Sequence, residues 1–181
     1  MTDRSKEKSP RAFFALWPDV AARAQLAGLA REVALESGGR PTAPDLIHLT
    51  LAFVGVQPAI RVDALRHLAG GIRTPRFVLE FDEIGGFRRT GITWLGSAAS
   101  PPELTALHHD LARALQSRGF PVDERSYAPH LTLARRSTAL VDRRLSQPIR
   151  WRVTSFALMA SELGRGGPVY RTIAEWPLVA G

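Results

Sequence analysis

The 181-residue sequence contains no cysteine, which excludes disulfides and thiolate metal sites and suits a reducing cytoplasm, where the protein is expected to reside. Lysine is almost absent: only Lys6 and Lys8 occur, and every other basic side chain is arginine. No apolar run reaches the roughly 18 residues that a membrane helix needs, so no membrane association is expected. The opening MTDRSKEKSP is charged and polar with no apolar stretch behind it. It does not read as a signal peptide and is expected to be a disordered tail over 1–10. There is no long polar linker, which leaves a single domain over 11–181. A fixed-period repeat of roughly 20–50 residues is also missing, which excludes a solenoid. No long basic run occurs, whereas a dedicated duplex-binding protein would gather its cations into one stripe.

What is present is the balance of a soluble globular protein, 45% hydrophobic and 23% charged residues. A net charge of +7 and a pI near 11.1 favour anionic partners. The arginines are scattered, with pairs at Arg88-Arg89, Arg135-Arg136 and Arg143-Arg144. Codon bias produces the same Ala- and Arg-rich composition, so charge alone says "anion" and no more.

The apolar stretch RAFFALW (11–17) predicts a buried strand. Asp19 can cap a helix running to about Ser37, with Leu26, Leu29, Ala30 and Val33 on one face and Gly38-Gly39 at its end. A strand at about 46–54 and a short helix over 58–69 follow. Residues 76–84 alternate, Phe77, Leu79 and Phe81 against Arg76, Val78, Glu80 and Asp82, which predicts a half-buried strand. Gly85-Gly86 is expected to start a turn to a strand at 91–95. Ser100-Pro101-Pro102-Glu103 reads as a helix start, with Ser100 as cap and Glu103 closing a capping box. Leu104, Leu107, Leu111 and Leu115 give that helix its core face, and Gly119 ends it. Further strands are expected at about 130–135, 150–162 and 168–177. Mixed strands and helices without strict βαβ alternation indicate an α+β fold.

One internal repeat carries chemistry. His48-Leu49-Thr50-Leu51-Ala52 recurs as His130-Leu131-Thr132-Leu133-Ala134, 82 positions later. Residues two apart in a strand share a face, so His48 and Thr50 point one way while Leu49, Leu51 and Phe53 pack on the other. The same holds for His130 and Thr132 against their leucines. If the halves are related by an approximate two-fold axis, both His/Thr pairs converge on one cleft. Imidazole titrates near neutral pH, so one histidine can act as base and the other as acid. The threonine hydroxyls can hold non-bridging phosphate oxygens. A lone His-x-Thr is worth little. Duplication explains the leucines, but gives no reason to retain both histidines on the polar face. His67, His108 and His109 fall on predicted helices and are read as surface residues. Zinc would need three or four ligands; with no Cys and no carboxylate in either copy, no metal and no other cofactor is expected.

The segments HLTLAFVG (48–55) and PHLTLAR (129–135) resemble the two His-x-Thr-x motifs of the two-histidine phosphoesterase superfamily. Within it they are most similar to the LigT-like (ThpR) RNA 2′,3′-cyclic phosphodiesterases. RAFFALWP at the start, Ile84-Gly85-Gly86-Phe87, Gly119-Phe120, SFALMASELGRGGPVY (155–170) and Trp176-Pro177-Leu178 extend the likeness over nearly the whole chain. The resemblance implies a bilobal α+β fold, two pseudo-symmetric lobes of mostly antiparallel sheet with flanking helices around a central cleft. It implies metal-independent hydrolysis of an RNA or nucleoside 2′,3′-cyclic phosphate to a 2′-phosphomonoester, with 2′,5′ ligation as a secondary activity. In family terms His48 corresponds to the proton donor and His130 to the acceptor, while Thr50, Thr132 and Arg135 correspond to phosphate contacts. Arg135 lies five residues beyond His130, the wrong parity for a flat strand. A bulge or the strand end must turn it inward, or it is a surface arginine. The loop RPTAPDLI departs from the family's usual Arg-Pro-Glu-Asn-Leu pattern, so Asp45 receives no role. Phe14 of the first strand, or else Phe13, could stack on the terminal base, with core packing for whichever faces away. The expected partners are RNA ends bearing a cyclic phosphate, or small cyclic nucleotides, with no obligate protein partner. Two other readings stay open: a non-catalytic RNA-end binding module, and a related enzyme acting on a small or ADP-ribose-derived cyclic phosphate.

Overall fold

The computed structural model describes residues 10–123, 125–164 and 167–180; apart from Pro10, the expected tail lies outside them. The chain opens with β1 (Arg11–Leu16), five of whose six residues are buried. Asp19 then caps α1 (Val20–Ser37), its carboxylate accepting the Ala22 N–H at 2.8 Å. Gly38 closes the helix at φ 65°, a left-handed conformation that glycine takes without steric cost. After β2 (Arg40–Pro41) and a 3-10 turn at Pro44–Leu46 come β3 (Leu49–Val56), α2 (Ala59–Ala69) and β4 (Phe77–Phe87). A 3-10 turn at Arg88–Thr90 leads to β5 (Ile92–Gly96), α3 (Pro102–Ser117), β6 (Leu131–Arg135), β7 (Arg143–Val153), β8 (Ser155–Gly164) and β9 (Gly167–Pro177).

The strands form a nine-stranded sheet in the order β7-β4-β5-β6-β3-β1-β8-β9, with β2 attached to β6. It divides into two half-sheets, β7-β4-β5-β6 and β3-β1-β8-β9, which meet through one antiparallel pair, Leu49 with Leu131. Reading outward from that pair, β6 matches β3, β5 matches β1, β4 matches β8 and β7 matches β9. This is the approximate two-fold relation that the repeated motif predicts. Each motif strand is reached from its outer neighbour through a helix, β1–α1–β3 and β5–α3–β6. Each helix crosses over: α1 packs on β6 and β7, and α3 on β3. The apolar faces read from the sequence make these contacts. Leu26, Ala30 and Val33 of α1 and Leu107, Leu111 and Leu115 of α3 are fully buried. Burying such a side chain stabilises by about 1.5–3 kcal/mol, so the crossed helices clamp two half-sheets that share little backbone pairing. The fold is α+β, with two pseudo-symmetric halves of antiparallel sheet.

Three local expectations differ. Gly85 and Gly86 start no turn; they lie inside β4, opposite Trp94 and Thr93 of β5. The Trp94 indole covers Gly85 so closely that a Cβ there would stand 2.2 Å from a ring carbon. The glycine makes room for a side chain on the next strand. Ser100 does not cap α3; Pro101 occupies the cap position without a side-chain bond and Pro102 takes the first turn. A proline pair there fixes φ and needs no N–H partner. The strand expected at 150–162 is two strands, broken at Thr154, and the first begins at Arg143.

Gly85→Ala is expected to destabilise the protein by about 1–3 kcal/mol through overpacking against Trp94. Urea unfolding checks it; an unchanged midpoint would mean that the indole swings aside freely.

Candidate active site

Leu49 and Leu131 are fully buried, and their pairing sets the site. Residues flanking an antiparallel pair face each other across the two strands. His48 therefore falls opposite Thr132, and Thr50 opposite His130, all four on the side away from the leucines. Each of the four is half-buried.

Both motif strands then carry a bulge at the same place. Phe14 and Ala15 of β1 pair with Ala52 and Thr50, skipping Leu51. Thr93 and Trp94 of β5 pair with Ala134 and Thr132, skipping Leu133. An extra residue shifts the alternation by one, so the residue five beyond each histidine rejoins the histidine face. In β6 that residue is Arg135, exposed and paired with Ile92 of β5. Its positive charge acts on both His48 and Tyr170. In β3 the equivalent residue is Phe53. It was expected behind the strand with the leucines; instead it is 64% exposed and its ring lies 6.2 Å from that of Phe13.

The assignment of Phe14 to base stacking is corrected. Phe14 is fully buried on the core side, its ring 6.4 Å from Phe156 and 6.2 Å from Trp176, and no base can reach it. Phe13 faces the histidines but is only 3% exposed, so it forms a wall beneath His48 rather than an open platform. The rings of Phe13, Trp17 and Tyr170 surround the His48 imidazole at centroid distances of 5.2, 5.0 and 5.2 Å. His130 has a lighter enclosure, with Phe87 edge-on at 5.4 Å.

Both imidazoles are oriented alike. Nδ1 of His48 lies 2.7 Å from the Leu46 carbonyl oxygen, and Nδ1 of His130 lies 2.8 Å from that of Ala128. A carbonyl only accepts, so each Nδ1 carries the hydrogen and each Nε2 is left for a ligand. Burial pulls the pKa of His48 below the ordinary histidine value. The Leu46 carbonyl opposes this, while the charges of Arg135 and His130 add to it. Burial pushes the Tyr170 hydroxyl up, so it stays protonated.

Beside His130 opens a cavity of about 270 Å³, lined by Thr50, Phe53, Phe87, His108, Tyr127 and His130 among others. His108 is not the surface residue expected. Its ring stacks on Tyr127 at 3.9 Å and 4°, and its Nδ1 bonds the Leu51 carbonyl at 2.9 Å. The Tyr127 hydroxyl donates to the Thr50 carbonyl at 3.1 Å. The two rings thus cap carbonyls of β3 where it leaves β6. His67 and His109 are exposed, as expected. Trp17, Phe53, Phe87, Tyr127 and Tyr170 were not singled out from the sequence. Phe53 alone had a usable signal, its place five residues after a motif histidine. Among the described residues, no group of three or more His, Asp or Glu side chains converges on a common point.

His48 should titrate below 6.5 in the free protein, followed by its imidazole proton resonances, and inorganic phosphate should raise that value by favouring the cation. A folded-state pKa below the unfolded one means stability contributed above pH 6.5 and lost as pH falls through the folded value. Titration at or above 6.5 without phosphate would contradict the aromatic enclosure.

Residues 17–165 match the family described as the 2′-5′ RNA ligase superfamily. The RNA 2′,3′-cyclic phosphodiesterase of Escherichia coli (strain K12) is 38% identical over 143 residues, 77% of this chain and 80% of that protein. The RNA 2′,3′-cyclic phosphodiesterase of Thermus thermophilus is 29% identical over 179 residues, 93% of this chain and 90% of that one. The crystal structure of E. coli LigT complexed with 3′-AMP superposes with a TM-score of 0.85 at 33% identity, covering 93% of this chain and 98% of that one. Fold, duplicated motif and sequence agree: the chain belongs to the 2′-5′ RNA ligase superfamily.

Proposed function

We infer that this chain hydrolyses the 2′,3′-cyclic phosphate at an RNA end, or on a nucleoside, to a 2′-phosphomonoester, by acid–base catalysis between His48 and His130. The observation that carries the reading is the two-fold pair of imidazoles, each held by a backbone carbonyl at Nδ1 with Nε2 free. Relatives named RNA 2′,3′-cyclic phosphodiesterase add independent support. A cysteine-free sequence is compatible with work in the cytoplasm.

In this mechanism His130 takes a proton from water as its oxygen attacks phosphorus, and His48 gives one to O3′ as the P–O3′ bond breaks. The two histidines end with their protonation states exchanged, and solvent restores them. Thr50 and Thr132 donate to non-bridging oxygens, whose charge needs support in the transition state. Arg135 grips the same oxygens with paired N–H groups. In the free protein, burial favours neutral His48, which a donor cannot be. The anionic substrate reverses that balance by favouring the imidazolium, so the acid is charged when it is needed. The strained five-membered ring opens under acid–base catalysis alone, so the mechanism routes no step through a metal. Phe53 and Phe87, both exposed and both lining the cavity beside His130, offer faces for the terminal base. The family's description supplies a second reading. A 5′-hydroxyl in place of water would give a 2′,5′ linkage through the same proton transfers.

The test is product analysis over a panel of mono- and oligonucleotide 2′,3′-cyclic phosphates. Phosphorus NMR should find the 2′-phosphate almost exclusively; a 3′-phosphate would mean that acid and base are placed wrongly. His48→Ala and His130→Ala should each lower kcat by about 10²–10⁴-fold, and the double variant should be little worse than either. Near-wild-type turnover in either folded single variant would end the two-histidine reading.

Activity should also survive exhaustive chelation. Loss with EDTA and recovery with zinc or manganese would require a metal in the mechanism.

A further inference from the structure

The motif arginine has a neighbour of the same charge. Arg40 of β2 is paired directly with Arg135 of β6, and directly opposed residues of an antiparallel pair project from the same face of the sheet. The bulge at Leu133 has turned Arg135 to the histidine face, so Arg40 stands there too, one strand across. Like charges in this relation repel and destabilise the pairing. Both residues are exposed, and among the described residues neither forms an ion pair that would offset the other's charge. The chain therefore keeps an unrelieved repulsion beside its catalytic strand. Local conflicts of this kind are retained where a ligand resolves them, and here the resolving ligand must be an anion.

The two arginines are not equivalent toward the reacting phosphate. β2 meets β6 only at Ala134 and Arg135, beyond the Thr132 that lies across from His48. Arg40 thus stands farther from the histidine pair, one strand across from Arg135. A nucleotide at the end of an RNA strand carries two phosphates: the cyclic one on O2′ and O3′, and the diester on O5′ that joins it to the rest of the strand. With Arg135 on the first, the second is the next anion outward. The opposite side of the site serves it less well, because the cavity there is lined mainly by apolar and aromatic groups, Phe53, Phe87, Leu115 and Val122 among them, and its one guanidinium, Arg125, is already paired with the Asp123 carboxylate.

We propose that Arg40 binds the 5′ phosphodiester of the terminal nucleotide, so that the protein selects the end of an RNA strand over a nucleoside cyclic phosphate. The proposal rests on the cyclic phosphodiesterase reading of the cleft. It makes β2, two residues long and otherwise only a filler of the gap where β6 parts from β3, a specificity element.

The experiment compares kcat/KM for adenosine 2′,3′-cyclic phosphate, which has no 5′ phosphate, with that for the dinucleotide ApA ending in the same cyclic phosphate. Wild type should prefer the dinucleotide by roughly tenfold, the scale of one charge-assisted hydrogen-bonded contact. In Arg40→Gln that ratio should fall toward one, and in Arg40→Lys it should be partly kept. The dependence of dinucleotide kcat/KM on salt should also flatten in Arg40→Gln by about 0.7 in log–log slope, the value for one single-strand phosphate contact. No dinucleotide preference in wild type, or an unaltered preference in Arg40→Gln, would overturn the proposal. An equal loss on both substrates would overturn it too, since Arg40 would then be acting at the cyclic phosphate. Failure of wild type to turn over either compound would refute the cyclic phosphodiesterase reading itself, a result distinct from these.

Discussion

A single backbone pairing, Leu49 with Leu131, decides where every reactive group stands. It joins the half-sheets, and its register places each motif histidine across from the other strand's threonine. A slip of one residue would turn the slipped strand over, putting its leucine into the cleft and its imidazole into the core. Two fully buried leucines resist that slip, each worth about 1.5–3 kcal/mol of burial. The crossed helices hold the arrangement from behind, each packing on the half-sheet opposite to the one its chain leaves, α1 on β6 and β7 and α3 on β3. A seam so narrow would be weak alone; the helices make it the rigid centre of the molecule.

The two-fold relation is broken where function needs it broken. His48 sits in a box of three aromatic rings, and His130 has one. Five residues on, the same bulge delivers Phe53 to the cleft from one strand and Arg135 from the other. Near-equivalent imidazoles are thereby given different environments, which is what the proposed division of the pair into acid and base requires. Duplication supplies the geometry, and the flanking residues supply the difference.

Much of this could be read from the sequence, and the exceptions share a cause. The faces of α1 and α3, the caps at Asp19 and Gly38 and the outward turn of the His/Thr pairs follow from periodicity within one segment. The bulges do not, because an extra residue is a property of two paired strands and leaves no mark on either alone. That is why Phe53 was placed behind its strand and why the direction of Arg135 stayed open. The choice of Phe14 over Phe13 failed for a related reason: a run of apolar residues in a central strand has two covered faces and no alternation to tell them apart. His108 was misplaced because a histidine on a helix gives no sign that a distant strand offers it a free carbonyl, as Leu51 does.

That free carbonyl follows from the seam. Beyond Leu49, β3 and β6 part, and each leaves backbone groups that need partners. On β3 the carbonyls of Thr50 and Leu51 are taken by Tyr127 and His108, and the stacked rings become the floor of an apolar cavity. On β6 the gap is filled by backbone, β2 pairing at Ala134 and Arg135 and the Thr42 N–H bonding the Leu133 carbonyl at 2.8 Å. Filling with rings gives one side of the cleft an aromatic surface, and filling with a strand gives the other an arginine. A nucleotide has the same polarity, a flat base at one end and phosphates at the other. The way the two strands separate thus prepares the cleft for such a ligand before any residue contacts it.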